Sequence, residues 1–322
     1  ETALNDRCTE QHIIIPCHEL ENLVFKHFSL HLAVSHTYLH IRHYSVQNVI
    51  NRLQFLDFIV KEEYLTTLTE SEYEVNFNSA RTGVRLNGPI PQWVREDGGE
   101  AGLHPSNIHD NAYAIGTMDL TGDQSILLGP DGPSLGGFVC PVTTAKAELW
   151  KLGQLHPGDK VHFQLLTLEQ AEALRKAQSA NINLQYTPVE LPEVVDLDYH
   201  YAILATDRVA DTDIVVRLDG EENVLVEYGE MELSIDLRFR VHILMQKLQE
   251  TDLPIINLTP GIRSIQVNFD VEKMDARTMT EQMWKEVYKE LMDCKLFSGT
   301  YDARNGNERF MHGIVTVMEY IA

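Results

Sequence analysis

Ser125-Ile126-Leu127-Leu128-Gly129-Pro130-Asp131-Gly132-Pro133-Ser134-Leu135-Gly136-Gly137-Phe138 is the stretch that decides the fold class. An apolar run stops at Gly-Pro, turns through a second Gly-Pro and resumes as Leu-Gly-Gly-Phe. Proline fixes φ and glycine opens the corners, so this reads as a strand entering tight turns and not as helix. The same punctuation recurs at Gly83, Gly88-Pro89, Gly98-Gly99, Gly116, Gly122-Asp123 and Pro157-Gly158. It separates short runs such as Val84-Arg85-Leu86 and Lys160-Val161-His162-Phe163. Turn signals that frequent predict a compact β domain, a barrel or sandwich with long loops, over residues 56–166.

The pattern changes on both sides of this region. Residues 1–55 are crowded with histidine (His12, His18, His27, His31, His36, His40 and His43) and show neither a clean apolar period nor repeated turn signals. They are expected to be atypical or poorly structured. At the other end, Thr167 with Gln170 three residues on predicts a capping box opening a helix through Ala177. An acidic, Pro-containing linker over about 187–198 then marks a boundary. Strand, helix, strand and helix follow. Asn223–Tyr228 and Ser264–Phe269 are the strands. The helices run from about Ser234 to Leu248, with Leu237, Val241, Leu244, Met245 and Leu248 on one face, and from about Thr280 to Met292, with Met283, Trp284, Val287, Tyr288 and Leu291 on one face. That order fits half of a split βαβ unit of ferredoxin-like type over 199–292. The tail, 293–322, has no clear pattern. The expected class is α+β.

Bulk composition bounds the function. In 322 residues, an apolar content of 43% can bury a sizeable core. A formal charge of −22 repels the phosphate backbone and argues against nucleic acid as a partner. No apolar run reaches the roughly 18 residues of a membrane span. The opening Glu1-Thr2-Ala3 lacks the basic and apolar regions of a signal peptide. Cys8, Cys17, Cys140 and Cys294 form no CxxC pair, which suits a reducing compartment and argues against a zinc ribbon. The cytoplasm is the expected location.

The chemistry concentrates in Gly98-Gly99-Glu100-Ala101-Gly102-Leu103-His104-Pro105-Ser106-Asn107-Ile108-His109-Asp110-Asn111. Glycines let backbone approach a ligand closely. His104, Asn107, His109 and Asp110 offer donors and acceptors to a planar polar substrate, and an imidazole can move protons near neutral pH. The alternative is a turn-rich loop whose Asx side chains cap backbone groups. A zinc site at His104, His109 and Asp110 matches no standard ligand spacing. Gly129–Phe138 is either a second wall of the pocket, with Ser134 as a hydroxyl donor, or a pair of tight turns. It contains no GxxxxGK[ST], and Ser134 is in no GxSxG elbow. Arg81 and Arg85 can each hold a carboxylate bidentately, although a surface ion pair is the commoner fate of such residues.

Four segments together resemble the carboxyltransferase region of urea carboxylase, the central part of fungal urea amidolyase: Asn78–Leu86, Gly98–Asn111, Gly129–Cys140 and Ala147–Gln154. The family is related to the subunits of ATP-dependent 5-oxoprolinase. The later stretches Asn223–Tyr228, Leu237–His242, Pro260-Gly261-Ile262-Arg263-Ser264 and Phe269-Asp270 resemble the start of its companion subdomain. The helix at 167–177 favours urea carboxylase over the 5-oxoprolinase relatives. The resemblance implies a cyclophilin-like β-barrel followed by the start of a ferredoxin-like subdomain. It implies transfer of a carboxyl group from carboxybiotin to urea, giving allophanate. His104, Asn107, His109 and Asp110 are then the expected catalytic residues, and Arg81, Glu100, Asp131 and Ser134 the expected substrate-binding ones, with no metal. Biotin would arrive on a separate carrier domain charged by a biotin carboxylase domain, where ATP is used. With no ATP-grasp domain and no Met-Lys biotinylation sequence, the chain is expected to be a fragment of the larger enzyme. The competing expectations are a non-catalytic binding or regulatory protein of this descent, and a 5-oxoprolinase component.

Overall fold

The computed structural model describes residues 44–50, 63–96, 98–183, 202–209 and 212–293. They form two units of α+β character. The first is a seven-stranded sheet built from β1 (Tyr44–Ile50), β2 (Tyr73–Val75), β3 (Gly83–Asn87), β5 (Met118–Thr121), β6 (Gln124–Leu128), β8 (Val142–Thr144) and β9 (Lys160–Leu165), with β4 (Asn107–Ala112) and β7 (Leu135–Phe138) paired apart as a two-stranded ribbon. The sheet order is β5-β6-β3-β2-β9-β1-β8. Every neighbouring pair is antiparallel except β1 with β9.

The two edges of this sheet meet. Thr117, just before β5, bridges to Thr143 in β8, and the Thr144 N–H donates to the Gly116 carbonyl at 2.9 Å. Closure removes the exposed edges that an open sheet of this size would present. Alternation along the strands points Leu86, Leu120, Leu127, Val161 and Phe163 into a shared core. Helix α1 (Glu63–Glu70) adds Tyr64, Leu65 and Leu68 to it. Each such side chain contributes roughly 1.5–3 kcal/mol on burial.

Strand β1 lies N-terminal to the boundary at residue 56 that composition marks, inside the histidine-rich stretch. It runs between β9 and β8. Residues 1–43, the 187–198 linker and the tail beyond 293 fall outside the described residues, and so do the expectations made for them.

Helix α3 (Leu168–Ile182) follows the short helix α2 (Leu149–Leu152). Its capping box is formed in both directions: the Gln170 N–H donates to Thr167 Oγ1 at 3.2 Å, and the Thr167 N–H donates to Gln170 Oε1 at 2.8 Å. α3 joins the units. Gln178 Nε2 donates to the Ala147 carbonyl in the first, while buried Arg175 pairs with Glu221 and Glu272 in the second.

The second unit is a five-stranded antiparallel sheet in the order β10-β11-β12-β14-β13, from β10 (Ile203–Val209), β11 (Thr212–Leu218), β12 (Asn223–Tyr228), β13 (Ile255–Pro260) and β14 (Ser264–Phe269). Helix α4 (Ile235–Gln249) connects β12 to β13, and β14 inserts between those two strands, antiparallel to both. This is the split βαβ arrangement. Leu237, Val241, Leu244 and Leu248 of α4 pack on one sheet face with Val224, Val226, Ile265 and Val267. Helix α5 (Ala276–Asp293) starts earlier than residue 280 because the Asp275 carboxylate caps it, accepting the Thr278 N–H at 2.9 Å.

The opposite sheet face is polar yet buried. Arg217, Asn223, Glu227, Ser264 and Gln266 all lie below 9% exposure. Contacts with the first unit surround this face. The Lys146 backbone N–H donates to Glu221 Oε2 at 2.6 Å, its Nζ pairs with Glu222 at 2.5 Å, and β4 runs against β14.

Candidate functional site

The stretch expected to be one loop divides in two. Gly98–Ser106 is a loop, and Asn107–Ala112 is strand β4, paired with β7. Its polar residues do not prevent this, because strand identity here is set by the partner and not by propensity. The loop is tightly wound. Gly98, Ala101 and Gly102 all have positive φ, and a Cβ on Gly99 would lie 2.1 Å from the His104 carbonyl oxygen. Only glycine at position 99 lets the loop close onto the start of β4.

His104 is fixed at both ring nitrogens. The Ser106 N–H donates to Nδ1 at 3.2 Å, and Ser106 Oγ lies 3.0 Å from the same atom. That pattern assigns the proton to Nε2, which faces Asp123 Oδ1 at 3.4 Å. Trp93 donates Nε1–H to the same carboxylate at 3.0 Å and stacks edge-on against the imidazole at 5.3 Å. The order Ser106, His104, Asp123 imitates a nucleophilic triad, but Ser106 is fully buried and its Oγ accepts the Gly122 N–H, so it is no nucleophile. Trp93 and Asp123 are the supports that sequence reading missed. Asp123 belongs to a Gly-Asp pair that looked like turn punctuation alone.

Asn107 is half-buried. Its backbone is engaged, the N–H with the His104 carbonyl at 2.8 Å and the C=O with Arg95 Nη1 at 3.1 Å. Its side-chain amide makes no hydrogen bond among the described residues. Beyond it the ribbon is irregular. Asn107 pairs with Phe138 and Asn111 with Gly136, so four steps along β4 match two along β7, and the excess bulges out at Ile108–Asp110. Bulges re-aim side chains and recur beside active sites. Here the bulge carries His109 and Asp110. Asp110 Oδ2 accepts the Ile262 N–H of the second unit at 3.0 Å. Asn111 is buried; its Nδ2 donates to the Phe138 carbonyl at 2.9 Å, and its Oδ1 has no partner among the described residues.

The other candidates lie outside the ribbon strands. Glu100 opens the 3-10 turn Glu100–Gly102 in the loop. Ser134 is exposed at the far end, where its carbonyl accepts the Tyr113 N–H at 2.9 Å. Arg81 and Asp131 pair with each other in a bidentate bridge, Nε to Oδ2 at 2.6 Å and Nη2 to Oδ1 at 3.0 Å, with side chains 75% and 49% exposed. Hydrogen bonding to Arg81 holds the Asp131 carboxyl below the usual carboxylate range. Asp123 precedes β6 and Asp131 follows it, so the His104–Asp123 and Arg81–Asp131 contacts lie at opposite ends of that strand. Glu100 and His104 thus sit in the loop before β4, Asn107, His109 and Asp110 on β4 and its bulge, Ser134 directly before β7, and the Arg81–Asp131 pair on the turns before β3 and after β6. The second unit meets these residues at Asp110 on the bulge. Among the described residues no three His, Cys, Asp or Glu side chains gather as a metal site, and no helix is long and apolar enough to cross a membrane.

Residues 16–165 match the family model described as carboxyltransferase domain, subdomain A and B, and residues 214–295 match that of subdomain C and D. The chain is 36% identical over 226 residues to urea amidolyase of Saccharomyces cerevisiae, covering 68% of this chain and 12% of that protein. To urea amidolyase of Lachancea kluyveri it is 34% identical over 230 residues, covering 69% and 13%. The crystal structure of the K. lactis urea amidolyase superposes with a TM-score of 0.71 at 33% identity, covering 81% of this chain and 16% of that one. The Kluyveromyces lactis urea carboxylase structure gives a TM-score of 0.69 at 34% identity, covering 77% and 22%. The chain thus spans 12–13% of the length of these two curated relatives.

Proposed function

The chain belongs to the carboxyltransferase-domain family, and on that premise we propose that it serves the carboxyl-transfer half of urea carboxylation, in which urea receives a carboxyl group from carboxybiotin and becomes allophanate. In this reading the barrel is a cyclophilin-like unit and the second sheet is the ferredoxin-like start of its companion. The β4–β7 ribbon between them is the site. ATP is consumed on a biotin carboxylase domain, and the biotin is carried by a separate carrier domain.

The observation that carries the reading is the side-chain amide of Asn107, without a hydrogen-bond partner among the described residues and half-buried on the ribbon directly before the bulge that meets the second unit. A primary amide offers one acceptor and two donors in a plane, the complement of both urea and the ureido ring of biotin, so the residues present fit the group. When bound, carboxybiotin supplies the activated carboxyl group. Asn107 orients the amide edges of urea. His104, locked as the Nε2–H tautomer and backed by Asp123 and Trp93, stiffens the entry to the ribbon. His109 on the bulge would take the proton that the urea nitrogen gives up as it is carboxylated and return it to the ureido nitrogen from which the carboxyl group departs. The Arg81–Asp131 pair, outside hydrogen-bond reach of that centre, belongs to the far rim, where an incoming carrier domain would pass.

Reconstitution tests this. With biotin carboxylase and biotinylated carrier domains added in trans, the chain is expected to support ATP turnover that depends on urea. Turnover with 5-oxoproline and not urea, or tight protein binding with no urea dependence, would overturn it.

A further inference from the structure

The turn between β13 and β14 is shaped around a carboxylate that belongs to the other unit. Asp110 Oδ2 accepts the Ile262 N–H at 3.0 Å. A Cβ on Gly261 would lie 2.0 Å from that same oxygen and 2.9 Å from Ser264 Oγ. Gly261 is therefore needed for room and not for torsional freedom. The turn is closed from within by the Gly261 N–H, which donates to the Ser264 carbonyl at 2.7 Å. Arg263, next in sequence, runs into the second unit, with Nη2 on Glu227 Oε1 at 2.7 Å and Nη1 on the Gly229 carbonyl at 3.2 Å. Glu227 in turn bonds Arg217 Nε. One carboxylate on the bulge of β4 thus reaches, through a single tight turn, the buried charges of the second sheet.

We infer that Asp110 is a positioning residue and not the proton acceptor. Its carboxylate seats the 260–264 turn against the ribbon and so sets the spacing between Asn107 and the wall that the second unit contributes. Of its two oxygens, Oδ2 is committed to a backbone N–H and hemmed in by a glycine, so the second unit's turn sets the orientation of the carboxylate. The bulge re-aims Asp110 toward the second unit and leaves the proton to His109. The inference rests on the carboxyl-transfer reading for its catalytic consequence, and on geometry alone for the clasp.

The two roles separate by substitution in the full chain. Asp110→Asn keeps an oxygen for the Ile262 N–H but cannot act as a carboxylate base. Asp110→Ala removes the acceptor, and Gly261→Ala forces the turn off it. Hydrogen exchange at the Ile262 amide is expected to accelerate about tenfold or more in Asp110→Ala and in Gly261→Ala, the rest of β14 being unchanged, and to return close to the wild-type rate in Asp110→Asn. In the reconstituted assay Asp110→Ala is expected to raise KM for urea, and Asp110→Asn to recover most of the loss. Unchanged Ile262 exchange in Asp110→Ala would overturn the clasp. Abolished turnover in Asp110→Asn with Ile262 still protected would overturn the positioning role and make Asp110 the base. If the wild-type chain shows no urea-dependent turnover, the functional reading fails, and the Ile262 exchange rates still decide the clasp.

Discussion

Arg217 on β11 reaches diagonally to Glu227 on β12, Nε to Oε2, with the two side chains 0% and 3% exposed. Arg263 holds the other oxygen of the same carboxylate at 2.7 Å. Glu227 therefore engages two buried cations beneath the interface. Removing one member of such a set leaves uncompensated charge in a dry site, a loss of about 3–5 kcal/mol. Glu227→Gln is expected to cost about that much in denaturant titration, with the m-value unchanged. A loss under about 1 kcal/mol would show that water reaches the cluster.

Barrel closure makes a second prediction. Thr117 Oγ1 and Thr143 Oγ1 face each other at 3.1 Å where the sheet edges meet, both side chains buried. Thr143→Val preserves shape but removes this contact, leaving the buried Thr117 hydroxyl with the Ala114 N–H at 3.3 Å as its hydrogen-bond partner among the described residues. The expected loss is about 1–3 kcal/mol, read as a lower Tm. No change would mean that the seam is held by its backbone bonds alone.

Asp119 gives the pH dependence. Burial in β5 pushes its carboxyl up to about 6, with only the Thr121 hydroxyl to oppose the shift. A carboxyl raised above its unfolded value favours the protonated fold. Its contribution is fully present below about pH 4 and is lost as pH rises through about 6, a swing of roughly 3 kcal/mol. Stability of the wild type relative to Asp119→Asn is expected to fall by that order between pH 4 and pH 7. A flat difference would contradict the burial argument.

Local chemistry made much of this fold readable. The Gly-Pro and Gly-Asp turns bracket β3 and β6, Thr167 and Gln170 form the expected capping box, and the 3.6-residue spacing of Leu237, Val241, Leu244 and Leu248 gives the buried side of α4. What escaped depends on distant partners. β1 has no strand pattern of its own and is defined by pairing with β9 and β8. Asn107–Ala112 looked like loop because its polar residues face a ribbon and a second unit that no local window contains. The Arg81–Asp131 pair joins residues fifty positions apart. The site was legible as composition, a concentration of amide, imidazole and carboxylate groups beside glycine. Its geometry was not, because the bulge at Ile108–Asp110 arises from a mismatch with β7.

On this account the side-chain amide of Asn107 handles the acceptor of a carboxyl group. The most direct test is a single turnover: a carrier domain charged beforehand with labelled carboxybiotin is mixed with the chain and urea, and label appearing in allophanate is followed. The wild type is expected to transfer label only when urea is present, and Asn107→Ala to slow that transfer at least tenfold, the loss expected for about 1.4 kcal/mol of hydrogen bonding. Equal rates for the two proteins, with transfer otherwise intact, would place the chemistry elsewhere on the molecule.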